Sequence, residues 1–153
     1  MERIAKFEKI KMNDKNKEYY DDIMLPKRAT QGSAGYDFYI PYDLIIKPHE
    51  SVAIETNIRC KMREDYVLFL FPRSSLGRKY KLTLDNTCGV VDSDYYNADN
   101  EGHIILFVTN HSENTLSLTK NDRIVQGIFL KYGITEDDDI KIERKGGYGS
   151  TGK

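Results

Sequence analysis

Short apolar runs recur along most of the chain, and turn-forming residues such as Pro41, Asn57 and Asn110 separate them. Runs of this length, alternating or bounded by turn residues, indicate strands. Only residues 76–80 suit a short helical turn. Many short strands at close spacing predict an all-β protein, a sandwich or a barrel. The predicted strands are residues 36–40, 44–47, 51–56, 58–62, 66–71, 82–87, 104–109, 115–118 and 123–131, with 4–12 as an edge strand.

The end of the chain has a different character. After Gly133 an acidic run at 136–139 precedes a glycine-rich stretch at 146–152. A segment with this many glycines cannot pack a core, so on its own it is expected to be mobile. We therefore predict one β domain over residues 1–143 and a mobile C-terminal arm over residues 144–153.

Length and charge limit the possible functions. A chain of 153 residues is long enough for one domain with its own core. The formal net charge is −1, so no global basic field attracts nucleic acid. No apolar run approaches a membrane span, and the N-terminus lacks the apolar region of a signal peptide. We therefore expect no nucleic-acid partner and no membrane association. Cys60 and Cys88 make no disulfide framework, which predicts reduced thiols in a cytoplasmic protein.

Two stretches combine groups suited to phosphate chemistry. Arg73 follows an apolar strand and offers a planar fork of donors, to which Ser74 and Ser75 add hydroxyls. Asp92 and Asp94 lie at a tight bend further along the chain, where their carboxylates could handle water or a metal ion. Donors for a polyphosphate near such acids point to phosphate-ester or anhydride chemistry.

Each signal alone has an ordinary structural explanation. Two acids one residue apart are most often surface turn residues, and Asp37 after Gly35 would by itself be a turn acid. Gln126 lies in an otherwise apolar strand, where it needs hydrogen-bond partners if it faces inward. Residues 147–153 resemble the first part of a phosphate-binding loop, but no helix follows, so that interpretation fails. An arm that folds over a bound ligand fits the same residues.

Five segments, taken in chain order, resemble the motifs of the homotrimeric dUTP nucleotidohydrolases, the dUTPases. Any one segment would be weak evidence, whereas five in the family's order make a chance match remote. The resemblance covers residues 25–153. The segments are AGYDF at 34–38, PRSSLG at 72–77, GVVDSDY at 89–95, RIVQ at 123–126 and RKGGYGSTG at 144–152.

This resemblance implies a distorted jelly-roll-like β fold and a homotrimer with three composite active sites. In the family each site takes the first, second and fourth segments from one subunit, the third from a neighbour and the arm from the remaining one. The implied reaction is hydrolysis of dUTP to dUMP and pyrophosphate by Mg2+-assisted attack of water on the α-phosphorus. Its role would be to lower dUTP and to supply dUMP for dTMP synthesis.

The resemblance also assigns roles at the nucleoside end of dUTP. Asp92 orients and deprotonates the attacking water and meets the 3′-hydroxyl. Tyr95 packs on the deoxyribose and leaves no room for a 2′-hydroxyl, while Asn86 and the nearby backbone read the uracil edge. The substrate-binding residues predicted for this end are Asn86, Gly89, Val90, Val91, Tyr95 and Ile105.

At the phosphate end the resemblance assigns charged and polar side chains. Arg73, Ser74, Ser75 and Gln126 hold the phosphates, and Asp37 anchors water molecules of a Mg2+ ion bound by the triphosphate. In the arm, Tyr148 stacks over the uracil, and Ser150 and Thr151 close on the γ-phosphate. The arm residues predicted to bind substrate are Arg144, Tyr148, Gly149, Ser150 and Thr151.

Some features depart from the family pattern, and two other functions compete. Arg144 stands four residues before Tyr148, closer than in many members, and residues 13–22 and the long turn at 96–102 lack obvious counterparts. The related dCTP deaminases share an Arg-Ser-Ser segment, but Phe107 occupies the place of their catalytic glutamate, which argues against deamination. A binding module without catalysis is the second alternative, against which Asp92, Arg73 and Gln126 are all present.

Overall fold

The computed structural model describes residues 1–147. In this part of the chain there are twelve strands, one α-helix and two 3-10 turns, at Tyr20–Asp22 and Ser93–Asn97. The strands and helix are β1 (Ala5–Lys9), β2 (Lys27–Arg28), β3 (Tyr36–Tyr39), β4 (Leu44–Ile46), β5 (Ser51–Glu55), β6 (Ile58–Met62), β7 (Tyr66–Pro72), α1 (Ser74–Tyr80), β8 (Leu82–Leu84), β9 (Gly89–Val91), β10 (Ile105–Asn110), β11 (Leu116–Leu118) and β12 (Arg123–Lys131).

The strands pair antiparallel in four sheets. The largest has the order β2-β3-β12-β7-β9, and a second has the order β5-β10-β8. Two further pairs, β1-β6 and β11-β4, complete the arrangement. Neighbours in a sheet are mostly distant in sequence, as in jelly-roll-like sandwiches. The predicted all-β, jelly-roll-like class with a single short α-helix is therefore confirmed.

One apolar core holds these sheets together. Its members alternate with exposed residues along the strands, as in Leu82–Leu84 and Leu116–Leu118, where the central residue faces solvent. Cys60 belongs to this core, where burial raises the pKa of its thiol to about 12, and both cysteines are free. The largest fully buried side chains include Phe38, Ile40, Ile46, Ile54, Ile58, Leu68, Ile104, Leu106, Leu116 and Ile124.

Some element boundaries differ from the prediction. The helix begins at Ser74 rather than at residue 76, because Arg73 is extended and its carbonyl accepts hydrogen bonds from the first helical turn. The strand expected at 82–87 ends at Leu84, and Thr87 has a left-handed φ of 70°. Cys88 lies in a bend before β9. The short strand β2 falls outside the predicted strands.

The segment from Gly133 to Gly147 contains neither helix nor strand. Three isoleucines in it, at 134, 140 and 142, are at least 73 % exposed. The predicted arm lies only partly within the described residues, and Tyr148, Gly149, Ser150 and Thr151 fall outside them. Across residues 1–147, no helix combines the length and apolarity needed to cross a bilayer.

Candidate active site

Three neighbouring strands bring polar residues together at one end of the large sheet. Asp37 on β3 pairs in register with Gln126 on β12, which in turn faces Phe71 on β7. Arg73 follows β7 directly, and its backbone N–H donates to the carbonyl of Ile124 at 3.3 Å. Strand register therefore places the carboxylate, the amide and the guanidinium side by side, although they are far apart in sequence.

These side chains line a pocket of about 430 Å³. The Asp37 carboxylate is 13 % exposed and forms ion pairs with Arg123 at 3.2 Å and with Arg73 at 3.8 Å. Two cations against one carboxylate leave a local excess of positive charge, which suits an anion. The polar lining residues are Ser33, Asp37, Arg73, Ser74, Arg123 and Gln126.

Gly35 lets the Gln126 side chain approach the backbone of the first segment. A Cβ at position 35 would stand 2.5 Å from Gln126 Oε1, closer than real Cβ atoms come to other groups. Any other residue here would have to push the amide away. The glycine of this segment thus leaves room for the Gln126 amide, a close approach that the sequence alone does not reveal.

Four of the residues predicted to bind phosphate or to anchor the metal's water molecules lie together in this pocket. Asp37, Arg73, Ser74 and Gln126 line it, whereas Ser75 is an exposed neighbour in the first turn of α1 and is absent from the lining. Arg123 was not predicted as a site residue. Its position in the fourth segment was visible in the sequence, but its pairing with Asp37 depends on strand register.

The third segment forms the edge of the same sheet. Strand β9 pairs only its three residues with β7, and Gly89 packs so tightly on Leu70 that a Cβ there would come within 2.9 Å of it. Val91 is buried, whereas Val90 is 53 % exposed and Asn86 lies exposed in the preceding turn. The third segment and the turn before it thus present Asn86 and Val90 to solvent at the edge of the sheet.

Asp92 begins the 3-10 turn at Ser93–Asn97 and holds an exposed carboxylate at its start. Tyr95, in the middle of the turn, is 4 % exposed; its hydroxyl donates to the carbonyl of His103 at 2.6 Å and accepts from Asn100 at 2.7 Å. The hydroxyl is therefore held by the protein on both sides. Ile105 is half-buried at the start of β10.

Arg144 covers this turn in the single chain. Its guanidinium pairs with Asp92 at 3.0 Å and with Asp94 at 3.3 Å, and it lies over the Tyr95 ring at 5.5 Å. The next residue, Lys145, accepts a hydrogen bond from the backbone of Asp99. The expected contact of Arg144 with a phosphate stays a prediction, and here two carboxylates hold the side chain instead.

Within one chain the pocket and the Asp92 turn lie apart. Val91 faces Leu68 on β7, so Asp92 comes level with Val67, whereas Arg73 follows the opposite end of that strand. The intervening six residues of antiparallel strand span about 20 Å. The α- and γ-phosphates of one nucleotide are far closer together than that, so a single chain does not bring both groups to the same substrate.

In the described part of the chain, the pocket alone is not a metal site, because its one carboxylate, Asp37, pairs with two arginines, and a Mg2+ ion there would need ligands from substrate phosphates as well. Mg2+ keeps several water ligands and is usually bound through one or two carboxylates and substrate phosphates. Asp37 supplies one such carboxylate in the pocket. Residues 1–147 contain no group of three histidine, cysteine, aspartate or glutamate side chains placed to hold a metal ion.

Fold and site together define a class, an all-β protein with a cationic pocket at one end of its largest sheet and a carboxylate-bearing turn after strand β9. Comparison with known proteins identifies the family within this class. The family model described as dUTPase matches residues 21–152. The deoxyuridine 5′-triphosphate nucleotidohydrolase of Lactococcus lactis is 41 % identical over 133 residues, which are 85 % of this chain and 89 % of that protein.

Solved structures agree. The crystal structure of the dUTPase from Streptococcus mutans superposes with a TM-score of 0.73 at 38 % identity, covering 85 % of this chain and 98 % of the other. A dUTPase variant from phage phi11 of S. aureus, described with a structural Mg(II) ion, shares the fold. It superposes with a TM-score of 0.70 at 16 % identity, covering 92 % of this chain and 98 % of the other. The chain belongs to the dUTPase family, and the resemblance inferred from its five segments is confirmed.

Proposed function

We propose that this chain hydrolyses dUTP to dUMP and pyrophosphate, which lowers dUTP and supplies dUMP for dTMP synthesis. The observation that carries the proposal is the cationic pocket formed by Arg73, Arg123 and Gln126 around Asp37. A triphosphate needs its charge neutralised, and relatives from L. lactis and S. mutans carry the dUTPase name.

Asp92 is the general base of the proposed reaction. Its carboxylate accepts a proton from water, the water oxygen attacks the α-phosphorus, and the bond from that phosphorus to the bridging oxygen breaks, so that pyrophosphate leaves. One acid is enough when the water is held in line. Since Arg144 pairs with Asp92 in the single chain, that ion pair has to open before the carboxylate can act.

The phosphates occupy the pocket. Arg73 supplies a planar fork of donors, Gln126 an amide and Ser74 and Ser75 their hydroxyls and turn N–H groups. A Mg2+ ion, held through water by Asp37, supplies further charge neutralisation when bound with the triphosphate. The dUTPase of phage phi11 is described with a structural Mg(II) ion, which supports this assignment by analogy of fold.

The third segment and the turn before it bind the base and the sugar. Asn86 and the backbone at Gly89, Val90 and Val91 pair with the uracil edge, and Ile105, the first residue of β10, belongs to the same nucleoside-binding set. A site that pairs with the O4 acceptor of uracil leaves the amino group of cytosine opposite the wrong partner. The Tyr95 ring, fixed through its hydroxyl, packs on the deoxyribose and excludes a 2′-hydroxyl.

The active unit is a homotrimer with shared sites. Its physical support is the distance of about 20 Å along β7 that separates Asp92 from Arg73 in one chain. A second copy has to supply the missing half. The arm, with Tyr148, Gly149, Ser150 and Thr151, closes the site from a neighbouring subunit. We also infer a cytoplasmic location, which suits the two free thiols, and no nucleic-acid partner.

The test is a panel of nucleotides. The purified protein is incubated with Mg2+ and dUTP, dCTP, dTTP or UTP, while pyrophosphate and ammonia are both followed. Pyrophosphate from dUTP alone is the expected result. Ammonia from dCTP would indicate a deaminase, although Phe107 supplies no acid on β10, and no product from any nucleotide would indicate a binding module.

The close approach at Gly35 gives one prediction. Gly35→Ala should fold normally, because the atom displaced is the end of a flexible side chain, but it should lower kcat/KM for dUTP about tenfold by moving Gln126 off the phosphates. Steady-state kinetics and a thermal melt measure both effects. Gly32→Ala is the matched control, since a Cβ there meets nothing within 4 Å. Unchanged kinetics in both variants would show that Gln126 does not bind substrate.

Removal of the arm gives a second prediction. A chain ending at Glu143 should lose about tenfold or more in kcat/KM, because the proposed contacts of the arm with the nucleotide are lost and solvent screens the remaining phosphate contacts in an open site. Arg144 and Lys145 contact the surface turn at Asp92–Asp99 rather than the core, so assembly should persist. Pyrophosphate release and light scattering measure the two properties, with deletion of Lys153 alone as the control. A truncated monomer would contradict the expectation.

A further inference from the structure

The turn that carries Asp92 is anchored on one side by the residues that follow it, up to His103. The Tyr95 amide donates to the carbonyl of Asp92 at 3.2 Å, and the Tyr95 hydroxyl lies between the His103 carbonyl and the Asn100 amide. Gly102 backs the turn so closely that a Cβ there would stand 2.7 Å from the Tyr95 carbonyl oxygen. These contacts hold the inner side of the turn.

The next residue, Tyr96, leaves the turn in another direction and reaches the ribbon formed by β1 and β6. Its hydroxyl donates to Glu8 Oε2 at 2.6 Å. Arg59 stacks its guanidinium on the Tyr96 ring at 4.3 Å and donates to the same carboxylate oxygen at 3.1 Å. Glu8 and Arg59 face each other in strand register, so the ribbon presents both groups at one point.

This cluster is more than an ordinary surface ion pair. The Glu8 and Arg59 side chains are 23 % and 25 % exposed, and Arg59 Nε is buried without a hydrogen-bond partner. Burying an unpaired N–H is unfavourable. The guanidinium of Arg59 is therefore held in this position by its stack on Tyr96 more than by hydrogen bonds of its Nε group. The pKa of Glu8 is lowered to about 2, chiefly by the hydrogen bond from Tyr96 and then by Lys6, so the carboxylate stays charged at neutral pH.

We propose that Glu8, Arg59 and Tyr96 are positioning residues that hold the turn at Ser93–Asn97 so that Asp92 points at the attacking water. The inference rests on the proposed role of Asp92. Strand β1 lies before the part of the chain that the family model matches, residues 21–152. The N-terminal ribbon thereby gains a function in catalysis without touching substrate.

The ribbon does not depend on this cluster for its own stability. Cys60 and Met62 on β6 are buried in the core, and β1 pairs with β6 through its backbone from Ala5 to Lys9. Loss of the Tyr96 hydroxyl therefore removes the link to the turn and leaves both elements folded. This separation makes the proposal testable by conservative variants.

The experiment compares Tyr96→Phe and Glu8→Ala with wild type in the full-length protein. Both should lower kcat for dUTP about tenfold and leave KM within about twofold, because a small misorientation of the base slows the chemical step. Glu8→Gln, which still accepts the Tyr96 hydrogen bond, should recover part of the loss. The double variant should be no worse than either single one, since both break the same link.

A second readout does not depend on activity. Hydrogen exchange at the Tyr95 and Ala98 amides, which close the turn, should become about tenfold faster in Tyr96→Phe while the core amides stay protected. Tyr132→Phe, which removes a hydroxyl bonded to the Glu64 carbonyl, and Lys6→Ala, which removes a third partner of Glu8 outside the link to Tyr96, should change neither kcat nor this exchange.

The outcomes separate the two hypotheses. A wild-type protein that does not hydrolyse dUTP would overturn the proposed function, and exchange at the turn would still decide whether Glu8 and Tyr96 hold it. Unchanged turn exchange in Tyr96→Phe, or an unchanged kcat with a lowered melting temperature, would overturn the positioning role.

Discussion

Asp92→Asn should lower kcat for dUTP by about 10³-fold or more and leave nucleotide binding within about threefold of wild type. A positioned general base contributes about 10² to 10⁴ in rate, and a carboxamide cannot accept the proton of the attacking water. The amide has nearly the same shape and still accepts a hydrogen bond, so the turn and the contact to the sugar hydroxyl are preserved. Single-turnover kinetics and titration of a non-hydrolysable dUTP analogue measure the two effects separately.

Asp94→Asn is the matched control for this variant. Asp94 lies on the same turn, is similarly exposed at 56 % against 51 %, and pairs with the same guanidinium of Arg144. It carries an equal charge but has no assigned chemistry, so kcat should stay within about threefold. Equal losses in the two variants would mean that the turn needs charge rather than a base, and undiminished hydrolysis by Asp92→Asn would place the base elsewhere.

Much of the fold follows from periodicity. The apolar runs that form β7, β10 and β12 are short, rich in β-branched and aromatic residues and bounded by turn residues. These features indicate strands rather than helices. The element limits were harder, since Leu84 ends a strand that the pattern extends to residue 87. The backbone turns after Leu84, and Thr87 adopts a left-handed φ. The pattern of apolar and polar residues does not predict such a backbone conformation.

Some residues of the candidate site could likewise be predicted from the sequence, whereas the contacts that orient them could not. Arg73 and Asp92 could be singled out by residue type and by their place next to strands, and Gly35 by the resemblance to a family motif. The contacts that orient them could not, since Tyr96 meets Glu8 across 88 residues of sequence and Arg144 meets Asp92 across 52. No local pattern encodes pairs of that separation, which are set by the order of strands in the sheets.

The second large effect is expected at the other end of β7. Arg73→Ala should lower kcat/KM for dUTP by about 10²-fold or more, because the planar guanidinium is replaced by a group that neither neutralises nor hydrogen-bonds a phosphate. The fold should survive, since Asp37 keeps its closer partner Arg123 at 3.2 Å and loses only the 3.8 Å contact. Steady-state kinetics with dUTP and a thermal melt measure activity and stability.

Arg78→Ala is the control for a lost surface arginine. Arg78 lies exposed on the helix Ser74–Tyr80, which follows Arg73, and is not part of the pocket. Its removal should leave kcat/KM within about twofold. An Arg73→Ala enzyme with normal kcat/KM would show that the phosphates bind outside the pocket around Asp37.

The two inactive variants together test whether sites are shared between subunits. When Asp92→Asn and Arg73→Ala chains are mixed in equal amounts, unfolded and reassembled, a shared site can take Arg73 from the first chain and Asp92 from the second. Random assembly gives about one quarter of the sites both intact residues, so about a quarter of wild-type activity should return. If both residues acted from one chain, no mixture could restore turnover, and the separation of about 20 Å along β7 would need another explanation.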